Sequence, residues 1–289
     1  MNHSLINSSV TMHAIQQKLD IIANNMANSN TNGYKRKDAT FEDILNNIKE
    51  QPKGFQKDGR LSPLGLNQGW GAKLSQTQLD LSQGTLTSTG VPTDLAIEGN
   101  ALYEVTMNTV DETTGKPVPK TVYTRDGTFE LAVNPADPDN VYLETKEGNF
   151  VNGTNGQPIR IPKNLKMFVD DKGNITAVNQ ADSGVAPLQV GQLKLVRIVR
   201  PQFMQQIGDN LYSLPDGVDN TKGQILQNVN TGSTLESPVA VRQGFLEQSN
   251  VNLADEMTEL IMVQREYQLS ARAVTSSDTM MNLANNLRG

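Results

Sequence analysis

Asp126, Glu130 and Glu144 are the residues of this chain that could do chemistry, because two carboxylates flanking a glycosidic bond can supply the acid and base that cleave it. Carboxylates at that density are expected on any acidic surface, and no signal around them marks a cleft or a perturbed acid. Other chemistries fall away by residue type. The chain has no cysteine, which excludes disulfides, thiolate metal sites and cysteine nucleophiles. Its 2 histidines, His3 and His13, are not spaced as a metal pair on one helix face, and a serine–histidine triad would lack its base in the middle of the chain. Asp170-Asp171-Lys172-Gly173-Asn174 has the turn residues of a calcium loop but neither its alternating ligands nor its closing glutamate, so it reads as a hairpin turn. No enzyme activity, cofactor or metal is expected. A formal net charge of -6 argues against nucleic acid, and no apolar run approaches the length of a membrane span. The first residues lack the basic and apolar blocks of a secretory signal.

The elements carry more information than the candidate catalysts. Met12, Ile15, Leu19, Ile22 and Met26 follow a three-four-three-four spacing, a narrow stripe suited to one or two partner helices. This predicts a helix from about Ser4 to about Asn28, ended near Gly33, which can take the left-handed conformation. At the other end Leu253, Met257, Leu260, Gln264, Tyr267, Ala271 and Val274 repeat at heptad spacing, and Met280, Leu283 and Leu287 offer a shifted stripe. Small and amide residues occupy the remaining faces, among them Asn24, Asn25, Asn28 and Ser270, and predict close contact with neighbouring chains.

Between the helices, Phe41, Ile44, Leu45 and Ile48 suggest a short helix over Phe41–Gln51. The stretch from Pro52 to Thr93 is rich in Gly, Ser, Gln and Thr and reads as an extended connector. Beyond it, alternation bounded by turn residues predicts antiparallel β structure from about Pro92 to Gly244. Thr121–Thr124 and Thr128–Val133 read as strands joined at Arg125-Asp126-Gly127, Met167–Val169 and Ile175–Val178 as strands about a Gly173 turn, and Leu193–Val199 as a further strand. The fold class is α+β: terminal helices paired as a coiled coil, with a central antiparallel β domain.

The run from Leu19 to Lys35, LDIIANNMANSNTNGYK, closely resembles the N-terminal signature of flagellar rod and hook proteins. Gly244–Met257, continued by Leu260–Gln268, resembles the second signature of that family. Thr93–Gly99, Tyr123–Phe129 and Gly208–Tyr212 are similar to three motifs of its β domain, so the resemblance covers nearly the whole chain. Departures are small: Leu102-Tyr103 stands where paired phenylalanines are common and Ser270 where asparagine is usual, and the segment Ala132–Leu143 looks longer than typical.

The resemblance implies a structural subunit of the basal-body rod, a homo-oligomer in a helical tube that transmits torque and encloses the export channel. It implies export through the flagellar type III apparatus, a location in the basal body outside the cytoplasmic membrane, and contact with other rod and hook proteins. A hook subunit is the first alternative and a cell-wall-binding or wall-active β module the second; the length and connector favour the rod, and the distal part of the rod is slightly preferred over the proximal. The expected organisation is a helix over 1–34, a connector over 35–92, an outer β domain over 93–244, and a helical segment over 245–289 that pairs with 1–34. Expected subunit-interface residues are Ile15, Leu19, Ile22, Asn24, Asn25, Met26, Asn28, Gly33 and Tyr34, then Leu253, Met257, Leu260, Gln264, Tyr267, Ala271 and Val274.

Overall fold

The computed structural model describes residues 3–48, 67–110, 117–134, 137–179, 187–208, 210–215, 225–229 and 239–286. These form two compact units, one built from 1–27, 37–78 and 252–289, the other from 28–36 and 79–251.

The first unit contains α1 (His3–Ala27), the strands β1 (Lys37–Ile48) and β2 (Asn67–Leu79), and α2 (Leu253–Asn286). The helices pack on one another in antiparallel fashion around Ile15, Ile22 and Val263, with Leu19, Met26, Leu260 and Tyr267 closing the sides. A heptad stripe suffices here because each helix buries one narrow seam against a single partner. Asn252 caps α2 by accepting the Ala254 amide at 3.1 Å, and Asp255 and Glu256 sit in the first turn, where the helix dipole favours negative charge.

The short helix expected over Phe41–Gln51 is not formed. Lys37–Ile48 is a strand paired with β2, and the Thr40 hydroxyl reaches the Gln76 carbonyl at 3.1 Å. An apolar run this short satisfies helical and extended spacings alike, and the presence of a partner strand decides between them. Residues 49–66 of the expected connector lie outside the described residues.

Among the described residues of the second unit every strand pairing is antiparallel. Its main sheet joins β5 (Leu102–Val110), β6 (Pro117–Thr124), β7 (Phe129–Val133), β8 (Asn140–Thr145), β9 (Phe150–Val151) and β10 (Arg160–Pro162). The same sheet contains β14 (Leu195–Ile198), β15 (Gln205–Gly208), β16 (Leu211–Ser213) and β17 (Leu226–Asn228). A second sheet holds β11 (Leu165–Val169), β12 (Asn174–Asn179) and β13 (Leu188–Gln192), with the tight β11–β12 turn at Gly173. Two small pairs complete it: β4 (Leu95–Glu98) with β18 (Ala240–Gln243), and β3 (Leu86–Ser88) with β19 (Phe245–Glu247). The segment from 245 therefore starts as strand and becomes helix at Leu253.

The core gathers Leu95, Ile97, Tyr103, Phe129, Ile175 and Val241, with Tyr103 and Phe129 edge to face at 5.0 Å. A smaller cluster of Leu102, Val196, Ile198, Tyr212 and Leu226 lies apart from it. The strand expected at Leu193–Val199 lines both clusters, with Leu195 in one and Val196 in the other.

The hairpin expected at Arg125-Asp126-Gly127 is overturned. β6 pairs with β5 and β16, and β7 with β8, so the two strands flanking the turn are not partners. The segment between them runs inward. A Cβ on Gly127 would lie 1.6 Å from the Leu95 carbonyl oxygen, so only glycine allows this approach. Gly127→Ala should cost on the order of 3 kcal/mol as an overpacked core site, read as a fall in Tm. Gly191→Ala, where an added Cβ meets nothing within 4 Å, is the control and should leave Tm nearly unchanged.

Candidate functional site

Each unit is organised by a buried polar cluster that contains residues of the terminal motifs. In the helical unit the cluster centres on Asn25, 1% exposed. Its amide oxygen accepts the Lys37 backbone N–H at 3.0 Å, and its amide nitrogen donates to the Lys37 carbonyl, also at 3.0 Å. The side chain thus copies the paired bonds of a strand neighbour and anchors the first residue of β1 to α1. The same nitrogen lies 3.4 Å from a carboxylate oxygen of Glu256, itself 1% exposed. Nearby, Lys18 pairs with Glu259 at 2.8 Å.

That cluster sets the rotation of α2. The buried line of the helix runs through Glu256, Val263 and Ser277, with Leu260, Tyr267 and Val274 half-buried between them. Leu253, Met257 and Gln264, expected on the seam, are exposed instead. The expected stripe differs from the observed one by a small turn about the helix axis. The observed rotation buries Val263 in place of Gln264 and gives Glu256 a partner in Asn25. On α1 the expected seam residues Ile15, Leu19, Ile22 and Met26 face α2, while Asn24 is exposed. Ala271 is half-buried.

In the β unit the cluster joins Lys35, Arg125 and Glu247, each 3% exposed or less. Lys35 Nζ donates to Glu247 Oε1 at 2.8 Å and to the Ser82 carbonyl at 2.6 Å. Glu247 Oε1 also accepts the Gly84 amide at 2.8 Å, and its Oε2 accepts Arg125 Nε. The Arg125 guanidinium then donates to the carbonyls of Ile97, at 2.9 Å, and Ala101. Two cations share one carboxylate, and the carbonyls of Ser82, Ile97 and Ala101 accept further bonds from them. Burial, with the Arg125 charge beside it, pushes the Lys35 ammonium below its ordinary value, against the pull of Glu247.

Around these charges the chain is stapled backbone to backbone. Gly33 donates to the Glu247 carbonyl at 2.8 Å, and its φ of 68° and a would-be Cβ 2.5 Å from the Asp126 nitrogen both require glycine. Tyr34 is buried and Asn28 half-buried, its amide oxygen accepting the Thr31 hydroxyl at 3.3 Å. The Arg36 amide donates to Asn250 at 2.8 Å, and Asn250 in turn donates to the Asp80 carbonyl at 3.0 Å and to Ser82. The expected site residues included Gly33 and Tyr34 but neither Lys35, Arg125 nor Glu247. All three lie in the Leu19–Lys35, Tyr123–Phe129 and Gly244–Met257 motifs, but their convergence in space is not written in the sequence.

Asp126, Glu130 and Glu144 are engaged differently. Asp126 accepts both the amide and the hydroxyl of Thr128, at 3.0 and 2.9 Å, inside its own turn, and burial raises its pKa. Glu130 and Glu144 are cross-strand partners on β7 and β8. Among the described residues no group of His, Asp or Glu could hold a metal ion, and no helix is long and apolar enough to cross a membrane.

Residues 7–35 match the family model for flagella basal body rod protein, and residues 242–287 match that for the C-terminal part of flagellar basal body rod FlgEFG proteins. These spans contain Asn25, Gly33 and Lys35 at one end and Glu247, Glu256 and Val263 at the other. The chain is similar over its full length to the flagellar basal-body rod protein FlgG of Borreliella burgdorferi, 32% identical over 288 residues that cover 100% of this chain and 99% of the relative. It is 33% identical to the FlgG rod protein of Bacillus subtilis over 301 residues, covering all of both chains. The flagellar hook-basal body complex protein FlhP of the same organism is 31% identical over 296 residues, again covering both chains fully. The chain belongs to the flagellar basal-body rod FlgEFG family, a family of structural, non-enzymatic subunits.

Glu247→Gln should cost ~3–5 kcal/mol, because it leaves two buried cations without their counter-charge. Chemical denaturation of the purified chain checks this, and Arg242→Met, which removes the exposed partner of an equally exposed Glu98, should cost much less.

Proposed function

We propose that this chain polymerises with further copies of itself into a helical segment of the rod that transmits torque and encloses the export channel. Its terminal helices line the tube and its β unit is carried outside. The observation that carries the reading is colinearity from end to end with rod proteins of the same length, including both helix-forming spans. The absence of cysteine suits a shaft outside the cytoplasmic membrane, and export through the flagellar type III apparatus is the route that this location calls for. Other rod and hook proteins are its neighbours, and the distal part of the rod is its place. A hook role is the second reading, favoured by the equally complete similarity to a hook-basal body complex protein.

Antibody labelling of isolated hook-basal bodies in the electron microscope separates these readings: label on the straight shaft supports the rod, label on the curved segment the hook. Ile22→Asp or Val263→Asp places a charge in the seam between α1 and α2. Either variant should abolish motility and rod incorporation while the β unit keeps its thermal transition. Normal motility in both would show that the helix pair is not needed for assembly.

A further inference from the structure

We propose that Asn155 is a site of covalent modification, where the side-chain amide is lost and an aspartyl or isoaspartyl residue takes its place. The inference is independent of the assembly proposed above. Asparagine is chemically labile, most of all before glycine, which puts no side chain in the way of its own backbone nitrogen. The sequence contains this pair three times, as Asn32-Gly33, Asn152-Gly153 and Asn155-Gly156. In the reaction the Gly156 nitrogen gives its proton to hydroxide and attacks Asn155 Cγ. The N–Cγ bond forms, the Cγ–Nδ2 bond breaks, and Nδ2 takes a proton from water and leaves as ammonia, which regenerates the hydroxide. The cyclic succinimide then adds water at either carbonyl. It opens to aspartate or, with the backbone rerouted through the side chain, to isoaspartate. Water is the only co-reactant, and one negative charge is gained.

The fold treats the three pairs differently. Asn152 is 3% exposed, and its amide donates to Glu104 Oε1 at 3.2 Å and accepts the Thr106 hydroxyl at 3.0 Å. The Gly153 nitrogen donates to the Gln157 carbonyl at 2.9 Å, and a Cβ there would lie 3.3 Å from the Gln192 carbonyl oxygen. Gly33 is buried with its N–H on the Glu247 carbonyl at 2.8 Å, and the Asn32 carbonyl accepts the Asn210 amide at 3.1 Å. In both pairs the nucleophile is held away from its target. Asn155 and Gly156, by contrast, are exposed in the turn between β9 and β10. Among the described residues the Asn155 side-chain amide makes no hydrogen bond. The Gly156 N–H reaches the Gly153 carbonyl at 2.9 Å, closing one turn that faces water, and a Cβ on Gly156 would meet nothing within 4 Å. Such a turn opens at little cost, whereas the other pairs react only when the β unit opens. Protection falls where the product would do harm. A carboxylate at Asn152 would face Glu104, and isoaspartate at Asn32 would shift the Gly33 staple to Glu247.

The test holds the purified full chain in mildly alkaline buffer, once native and once in denaturant. Peptide mapping by mass spectrometry follows each asparagine over time, with chromatography separating isoaspartate from aspartate. Each native rate is divided by the rate of the same pair in denaturant, which removes differences of local sequence. Folding should slow Asn32 and Asn152 at least roughly tenfold more than it slows Asn155. The native rate at Asn155 should rise about tenfold per pH unit, as the deprotonated fraction of the attacking nitrogen does. Asn155→Gln, which lengthens the side chain in an exposed turn, should remove the fast native conversion and leave Tm unchanged. Folding that slows Asn155 as much as the other two overturns the inference, and so does native conversion that is faster at Asn32 or Asn152. Neither result bears on the rod assignment, which the antibody labelling tests separately.

Discussion

Glu247 is the group on which the β unit depends. Taking a carboxylate and two cations out of water costs several kcal/mol per ion, and only complete pairing recovers it. Here the recovery draws on four separate stretches of chain: Lys35 after the first helix, Ser82 and Gly84 before the sheet, Ile97, Ala101 and Arg125 inside it, and Glu247 just before the second helix. The β unit therefore cannot satisfy its own interior without a segment from each end of the sequence. This explains why residues 28–36 belong to it rather than to the helical unit. It also explains the glycines at Gly33 and Gly127, which let backbone approach backbone around the buried charges.

The helical unit uses a different device for a related purpose. Asn25 supplies the donor and acceptor that a neighbouring strand would have supplied, so a strand can start against a helix without leaving backbone groups unpaired. Its further contact with Glu256 brings a polar pair into an otherwise apolar seam. A buried polar pair of this kind contributes less to stability than to register, since it is satisfied at one rotation and one offset of the helices. Ile15, Ile22 and Val263 would pack acceptably at several.

Asn25, Glu256, Lys35 and Glu247 fall within the spans that match the rod models, while Lys37 and Arg125 lie outside them. These four residues join segments that are distant in the chain. Their work is structural, which is consistent with a family whose members are parts of a shaft.

Some of this was determined by the amino-acid order alone. Heptad spacing identified both helices, because side-chain direction in a helix follows from position. The Asp170–Asn174 turn between β11 and β12 was legible because Gly173 and its neighbours impose local backbone geometry. The two terminal signatures and the family they resemble were legible for the same reason: they are strings of letters. What needed tertiary structure was every choice between alternatives that are locally equal. Phe41–Ile48 became a strand because a partner strand lay beside it. Arg125-Asp126-Gly127 became an inward crossing because Glu247 was there to receive the guanidinium. The rotation of α2 turned on Asn25, more than two hundred positions away in sequence. In each case the deciding energy is a contact between residues remote in the chain, and neither local spacing nor residue type contains that information.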